Sequence, residues 1–369
     1  MEELTPDDPR WIGQKRYELL ARLGNGGMGR VYLGKSPLAE RAAVKVILPH
    51  LVSDADVRKR FEAEVQNLKL AQGIRVAQYR GSEINEKQPW LAVQYVPGRT
   101  LRQHVEDRGP LPARTAAALG AMLAEGLTTI HDAGLLHRDL KPANIMLGED
   151  GPCIIDLGLA VLQERDSHLT QTGFAVGTAA YMAPEQAMGE KELTAAVDVY
   201  ALGATLLYAA TKHNPYPSSN PVLLAKRITD PDDHPDLAGL PKELHTIVGA
   251  MLAFDEQARP TVQEVLTDLA GIATSGGVDF EVVRHELAQS TYVAPPAVPH
   301  PPQDIDDPVV DQDWSLGPTE LISQPPQPPV DPTAFDPSPP DTEPAETPQA
   351  DLTWLVERLR KQYARRATL

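Results

Sequence analysis

Between residues 293 and 350 the chain carries 17 prolines, 11 aspartates or glutamates, and no lysine or arginine. Proline offers no amide proton to a helix or a sheet interior, and a segment this poor in apolar side chains cannot bury enough surface to offset the entropy of ordering it. The stretch is therefore expected to be a disordered, extended linker. Whatever folds must lie before it, or in the last nineteen residues beyond it. The linker accounts for −11 of the formal net charge of −17, which argues against nucleic acid as a partner. Its Pro325-Pro326-Gln327-Pro328-Pro329 run fits a polyproline-recognising partner, with plain spacer as the simpler role. Ser338 and Thr347, each followed by proline, are candidate phosphoacceptors.

Residues 351–369 break the pattern. On a helical projection Leu352, Leu355, Val356, Leu359 and Tyr363 share one face, while Arg358, Arg360, Lys361, Arg365 and Arg366 crowd the rest. A basic amphipathic helix on a long tether suits docking to a partner, to an anionic membrane surface, or to the acidic folded part of the chain itself. The N-terminus is acidic and contains proline, unlike a secretory leader. The longest apolar stretch, residues 115–136, is interrupted by Glu125 and His131, and no run reaches the ~20 apolar residues of a membrane span. With a single cysteine, Cys153, the composition leads us to expect a cytoplasmic protein without a transmembrane anchor.

Chemistry concentrates in His137-Arg138-Asp139-Leu140-Lys141-Pro142-Ala143-Asn144, which places a base, a cation and a metal-capable amide oxygen in one short loop. Upstream, Gly24-Asn25-Gly26-Gly27-Met28-Gly29-Arg30-Val31 has the form G-x-G-x-x-G-x-V. Glycines there let backbone amides approach phosphate oxygens. Residues 17–20 and 31–33 read as strands, so the glycines cap a hairpin instead of opening a helix as a dinucleotide fingerprint does. Residues 29–36 also match G-x-x-x-x-G-K-[ST] literally. A P-loop would run straight into a helix, whereas Val31-Tyr32-Leu33 is strand-like and Pro37 follows.

Ala42-Ala43-Val44-Lys45-Val46-Ile47 is an apolar strand holding one lysine, which is costly to bury unless paired. Residues 57–70 read as a helix with Phe61, Val65 and Leu68 on its core face. Glu64 and Glu62 flank that face on opposite sides, Glu64 the nearer to its centre. Farther on come Cys153-Ile154-Ile155-Asp156-Leu157-Gly158, then Gly177-Thr178-Ala179-Ala180-Tyr181-Met182-Ala183-Pro184-Glu185, then Asp198-Val199-Tyr200 and Asp255-Glu256-Gln257-Ala258-Arg259-Pro260.

In this order the motifs resemble the eukaryotic-like serine/threonine protein kinases, especially bacterial ones, over residues 14–275. The resemblance implies an α+β fold of two lobes: a small β-rich lobe over 14–96 and a helical lobe over 97–275. A 1–13 extension would precede it and a trailing helix over 276–292 follow it. It implies ATP with Mg2+ or Mn2+, and transfer of the γ-phosphate to Ser or Thr hydroxyls of protein substrates. Asp139 would be the base and Lys141 the cation near the transferring group. Asn144 and Asp156 would be the metal ligands, and Lys45, paired with Glu64, the contact to the α- and β-phosphates. Gly24, Asn25, Gly26, Gly27, Met28, Gly29 and Val31 would cover the phosphates. Gln94 and Val96 would meet the adenine through their backbone, with Val93 at the inner wall and Ala43 and Met146 above and below the ring.

The same resemblance makes Thr170 and Thr172 the expected activation-segment phosphoacceptors, read out by Arg138. Thr178 would bond Asp139 and Lys141 or be phosphorylated itself. Glu185 would pair with Arg259, and Asp198 would brace the catalytic loop. Leu157 stands where the family usually has phenylalanine, and residues 73–85 read as irregular. A second class stays open: a pseudokinase-type scaffold that recruits partners through its tail. Intact Lys45, Asp139, Asn144 and Asp156 favour the enzyme.

Overall fold

A computed structural model describes residues 1–25, 29–52, 54–156 and 179–298 of the chain. Gly26, Gly27, Met28, Leu157, Thr170, Thr172, Thr178, the acidic linker beyond 298 and the 351–369 helix lie outside the described residues.

The first lobe is a six-stranded antiparallel sheet in the order β1-β2-β3-β4-β6-β5, built from β1 (Trp11–Ile12), β2 (Tyr17–Asn25), β3 (Gly29–Lys35), β4 (Arg41–Ile47), β5 (Tyr79–Glu83) and β6 (Trp90–Gln94). Strand alternation sorts the residues of β4. Ala42, Val44 and Val46 join Ile12, Tyr17, Leu19, Tyr32, Trp90 and Ala92 in an outer-face cluster, while Ala43 and Lys45 turn to the opposite face. On that side packs α1 (Ala55–Leu70), burying Phe61, Val65 and Leu68. Gly29–Lys35 is thus a strand paired on both sides, to β2 and to β4, and this excludes the P-loop reading of residues 29–36.

The stretch expected to be irregular, residues 73–85, contains β5. Tyr79-Arg80-Gly81-Ser82-Glu83 has no β-branched residue to announce a strand, and its ladder to β6 is interrupted between Tyr79 and Gly81. It forms because β6 offers it an unpaired edge. The first twelve residues are part of the sheet as well. Trp11 and Ile12 pair with Glu18 and Tyr17, and Glu2 exchanges backbone hydrogen bonds with Arg22, 3.0 and 2.9 Å.

The second lobe is helical: α2 (Leu101–Arg108), α3 (Ala113–Asp132), α4 (Pro184–Ala187), α5 (Ala196–Thr211), α6 (Pro221–Ile228), α7 (Lys242–Met251), α8 (Val262–Ala273) and α9 (Phe280–Thr291). Local sequence sets several starts. Thr100 with Gln103 and Thr261 with Glu264 form capping boxes, and Asn220 and Asp279 cap α6 and α9. At the seam between the lobes lies a small sheet of β7 (Arg99–Thr100), β8 (Ile145–Gly148) and β9 (Gly151–Ile154). The residues after α1 are fastened to it: Ala77 N donates to Ile154 O (2.8 Å), Ile154 N to Arg75 O (2.8 Å), and the Arg75 guanidinium to Asp150 O (2.8 Å).

Helix α3 is the axis of this lobe, packed on α8, α5 and α9. It comes close because Gly120 has no side chain. A Cβ there would lie 2.7 Å from Leu269 Cδ1 and 2.8 Å from Leu206 Cδ1. Gly120→Val should cost about 1–3 kcal/mol of stability through overpacking, read as a lower urea midpoint at unchanged slope.

Candidate active site

A tight strand pair brings the proposed metal ligands together. In the β8–β9 hairpin Ile145 faces Ile154, and Ile155 N donates to Asn144 O at 3.0 Å. Asn144, just before β8, and Asp156, just after β9, therefore emerge at the same end. Asp156 Oδ1 is buried and has no hydrogen-bond partner among the described residues. An orphaned carboxylate oxygen at the same end of a hairpin as an amide side chain fits a hard divalent cation.

The loop ahead of β8 is held by a buried carboxylate. Asp198, at the start of α5, accepts from His137 N (2.9 Å) through Oδ2 and from Arg138 N (2.8 Å) through Oδ1, and His131 Nε2 lies 2.7 Å from Oδ2. Burial by itself would raise its pKa, but these hydrogen bonds and the nearby imidazoles outweigh it and hold Asp198 below the ordinary carboxylate value. Arg138 takes up a left-handed backbone at φ 62°, and Gln186 Nε2 on α4 donates to its carbonyl at 2.8 Å. The turn presents Asp139. Lys141 Nζ lies 2.7 Å from Asp139 Oδ2, and Asn144 Nδ2 donates to Asp139 O at 2.9 Å and sits 3.3 Å from Oδ2. Arg138 Nε is buried with no partner among the described residues.

From the first lobe, Lys45 Nζ lies 2.9 Å from both carboxylate oxygens of Glu64. Glu64 is buried and Glu62 is exposed, which decides between the two candidates on α1. Burial acts against the charge on Lys45, but the Glu64 and Asp156 carboxylates outweigh it, and its pKa is raised. Lys45 thus stays an ammonium facing the Asp156 end of the hairpin. Ala43 pairs with Val93 and Ala42 with Gln94 across β4–β6. Ala43, Val31, Val93, Gln94, Val96 and Met146 are all half-buried, as residues lining an open cleft would be. A Cβ on Gly24 would meet nothing within 4 Å, whereas one on Gly29 would meet Val46 O at 2.5 Å. Cys153, on β9, is buried, and burial pushes its thiol up to about 12, so it is no nucleophile.

Far from the cleft, Arg259 closes the second lobe. Its guanidinium grips Glu185 at 2.6 and 2.8 Å and donates to the carbonyls of Ala253, Ala196 and Phe254, so every N–H is used. Its Cζ lies 5.0 Å from the Tyr200 ring centroid. His131 and Gln186 also help hold the loop. A lone His near the end of a helix carries no distinctive spacing, and Gln186, although it closes the Tyr-Met-Ala-Pro-Glu-Gln run that resembles bacterial kinases, gives no sign in the sequence of the carbonyl it meets.

A model of the protein kinase domain matches residues 17–269. The chain belongs to the protein kinase family. Over 279 residues it is 40% identical to the serine/threonine-protein kinase AfsK of Streptomyces coelicolor, covering 76% of this chain and 34% of that protein. Over 270 residues it is 42% identical to the probable serine/threonine-protein kinase PkwA of Thermomonospora curvata, covering 73% and 36%. It is 33% identical over 321 residues to the serine/threonine-protein kinase PknB of Mycobacterium tuberculosis, covering 82% and 51%. The chain thus spans about a third of the length of the first two relatives and half of the third. Among solved structures, the kinase domain of Mycobacterium tuberculosis PknI superposes with a TM-score of 0.55 at 26% identity, covering 70% of this chain and 96% of that one. The family uses ATP and a divalent metal ion. No helix among the described residues is long and apolar enough to cross a membrane.

Two measurements test this geometry. Arg259→Leu strands a buried carboxylate and should cost about 3–5 kcal/mol, seen in urea unfolding. The second is pH dependence. Burial lowers the pKa of His137, and burial with Arg99 and Arg108 nearby lowers that of His104 although Asp107 opposes it. Both histidines are thus harder to protonate in the folded state than at the ~6.5 of an open chain. The unfolded chain then takes up protons first, so stability is fullest above about pH 6.5 and falls as the pH drops below it. His104→Phe should flatten part of that slope.

Proposed function

We propose that the chain is a serine/threonine protein kinase that transfers the γ-phosphate of ATP to Ser or Thr hydroxyls of protein substrates. One observation carries this reading. The Lys45–Glu64 pair is closed at 2.9 Å, and the same cleft holds the Asp139 carboxylate and the Asn144–Asp156 end of the hairpin. MgATP, when bound, supplies the transferable phosphoryl group. Asp139 accepts the proton of the substrate hydroxyl and orients its oxygen. Lys141, 2.7 Å from Asp139, places fixed positive charge where charge spreads over the phosphoryl oxygens. Asn144 and Asp156 would hold Mg2+. Lys45, kept charged by Glu64, would meet the α- and β-phosphates, with the glycine-rich sequence at 24–29 as their cover. Val93, Gln94, Val96, Ala43 and Met146 hold the adenine.

The relatives' names as serine/threonine kinases and the Lys-Pro pair at 141–142 support the hydroxyl class. Arg138, with its Nε buried and unpartnered among the described residues, suits a phosphate on Thr170 or Thr172 as its counter-ion, which would order the segment after Asp156. In the full-length chain Asp139→Asn should lower turnover about 10²–10⁴-fold while MgATP still binds, and Lys45→Met should weaken both. Mass spectrometry of wild type incubated with MgATP should find phosphate on Thr170 or Thr172. A double alanine variant with unaltered activity and phosphate content would remove that switch from the reading, and wild type that binds MgATP without turnover would remove the kinase itself.

A further inference from the structure

The N-terminal segment ends in a buried ion cluster on the two strands that carry the glycine-rich turn. The side chain of Asp8 is fully buried. Its Oδ2 lies 2.7 Å from Arg22 Nε and accepts from Thr5 N (2.8 Å) and Thr5 Oγ1 (3.0 Å), and its Oδ1 accepts from Tyr32 OH (2.7 Å) and Arg30 Nη1 (3.2 Å). Arg22 Nη2 donates in turn to Thr5 Oγ1 at 2.8 Å.

The register explains why these side chains meet. Arg22 of β2 faces Tyr32 of β3, and Arg30, two residues before Tyr32, points the same way. All three lie on the outer face of the sheet, the face opposite the cleft. The positions are critical ones. A bulge falls between Arg22 and Gly24, where β2 gives way to the turn, and Arg30 directly follows Gly29, where the turn rejoins the sheet. One carboxylate here ties both β2 and β3 to a third segment. Without that carboxylate two guanidinium groups would face each other across the two strands. Burial works against the charge on Asp8, but the Arg22 pair and the hydrogen bonds from Thr5 and Tyr32 outweigh it and hold the carboxyl well below the usual range. The tie is therefore charged throughout the working pH range.

We propose that Asp8 is a positioning residue for nucleotide binding: from the outer face of the sheet it clamps β2 and β3, the two strands that flank the glycine-rich sequence, and so sets how tightly ATP is held. The proposal rests on the nucleotide reading of that sequence. It assigns the N-terminal segment a part in nucleotide grip, although Asp8 lies on the face opposite the cleft.

The test compares full-length wild type with Asp8→Asn, Asp8→Glu and Tyr32→Phe. Each is assayed for affinity toward a fluorescent ATP analogue with Mg2+, for KM of ATP and of a protein substrate, and for thermal midpoint. Asp8→Asn should weaken nucleotide binding and raise KM for ATP about five- to tenfold, as the loss of a charge-assisted tie to a binding loop does. KM for the protein substrate should stay put. Asp8→Glu, which keeps the charge, should recover most of the loss, and Tyr32→Phe, which deletes one hydroxyl, should give about a two- to threefold effect. Unchanged nucleotide affinity in both Asp8→Asn and Tyr32→Phe overturns the proposal. So does a parallel loss of all parameters that tracks the thermal midpoint, the mark of a merely structural role. If Asp8→Asn fails to fold, Tyr32→Phe decides alone. Wild type that binds the analogue without turnover defeats the kinase reading and leaves the clamp to be judged by affinity.

Discussion

A single buried carboxylate on α5 fixes the backbone that carries the reactive groups. Asp198 holds two successive amides of the loop and a histidine of α3, so the second lobe's central helices and the 137–144 loop are one rigid piece. The left-handed residue at Arg138 is tolerable because those amides have no better place to go. From this follow the outward aim of Asp139, the reach of Lys141, and the entry into β8 that sets Asn144 opposite Ile155. Without Asp198 the loop would have donors and no acceptor in a place water does not reach.

The two lobes meet at this piece through different chemistry. On the far side a charged pair, Lys45 with Glu64, joins a strand to a helix. On the near side backbone bonds from residues 75–77 to β9 fasten the end of that helix to the hairpin. The Lys45 ammonium, the helix and Asp156 are therefore connected through both a side-chain route and a main-chain route. A displacement of α1 would part Lys45 from its counter-ion and leave the ammonium costly to keep.

Much of this was legible in the sequence because phosphoryl transfer tolerates few substitutes. A glycine-rich turn, a lone lysine in an apolar strand, a helix with Glu64 beside its core face, and the 137–144 loop each declare a constraint that local chemistry imposes. The parts that stayed hidden depend on tertiary pairing. Strand β5 is a run of polar residues made extended only by its neighbour. The role of the first twelve residues was invisible because Asp8 finds Arg22, Arg30 and Tyr32 through the register of a hairpin, which no local period encodes. The choice of Glu64 over Glu62 was a matter of helical angle, and packing on the sheet decided it. Residues 170, 172 and 178 remain readable only through their sequence neighbourhood and Arg138.

The N-terminal pairing with β2 and the packing of α9 have one more consequence. The match to the protein kinase domain model begins at residue 17 and ends at 269, yet the outer face and free edge of the sheet are sealed by residues before it. Val283 and Leu287 of α9 are buried in the main core beyond its other end. The unit that folds is thus longer at both ends than the span the domain model matches. A fragment trimmed to that span would keep Lys45, the 137–144 loop and Asp156 while exposing a bare strand edge, an open apolar face and two unopposed arginines.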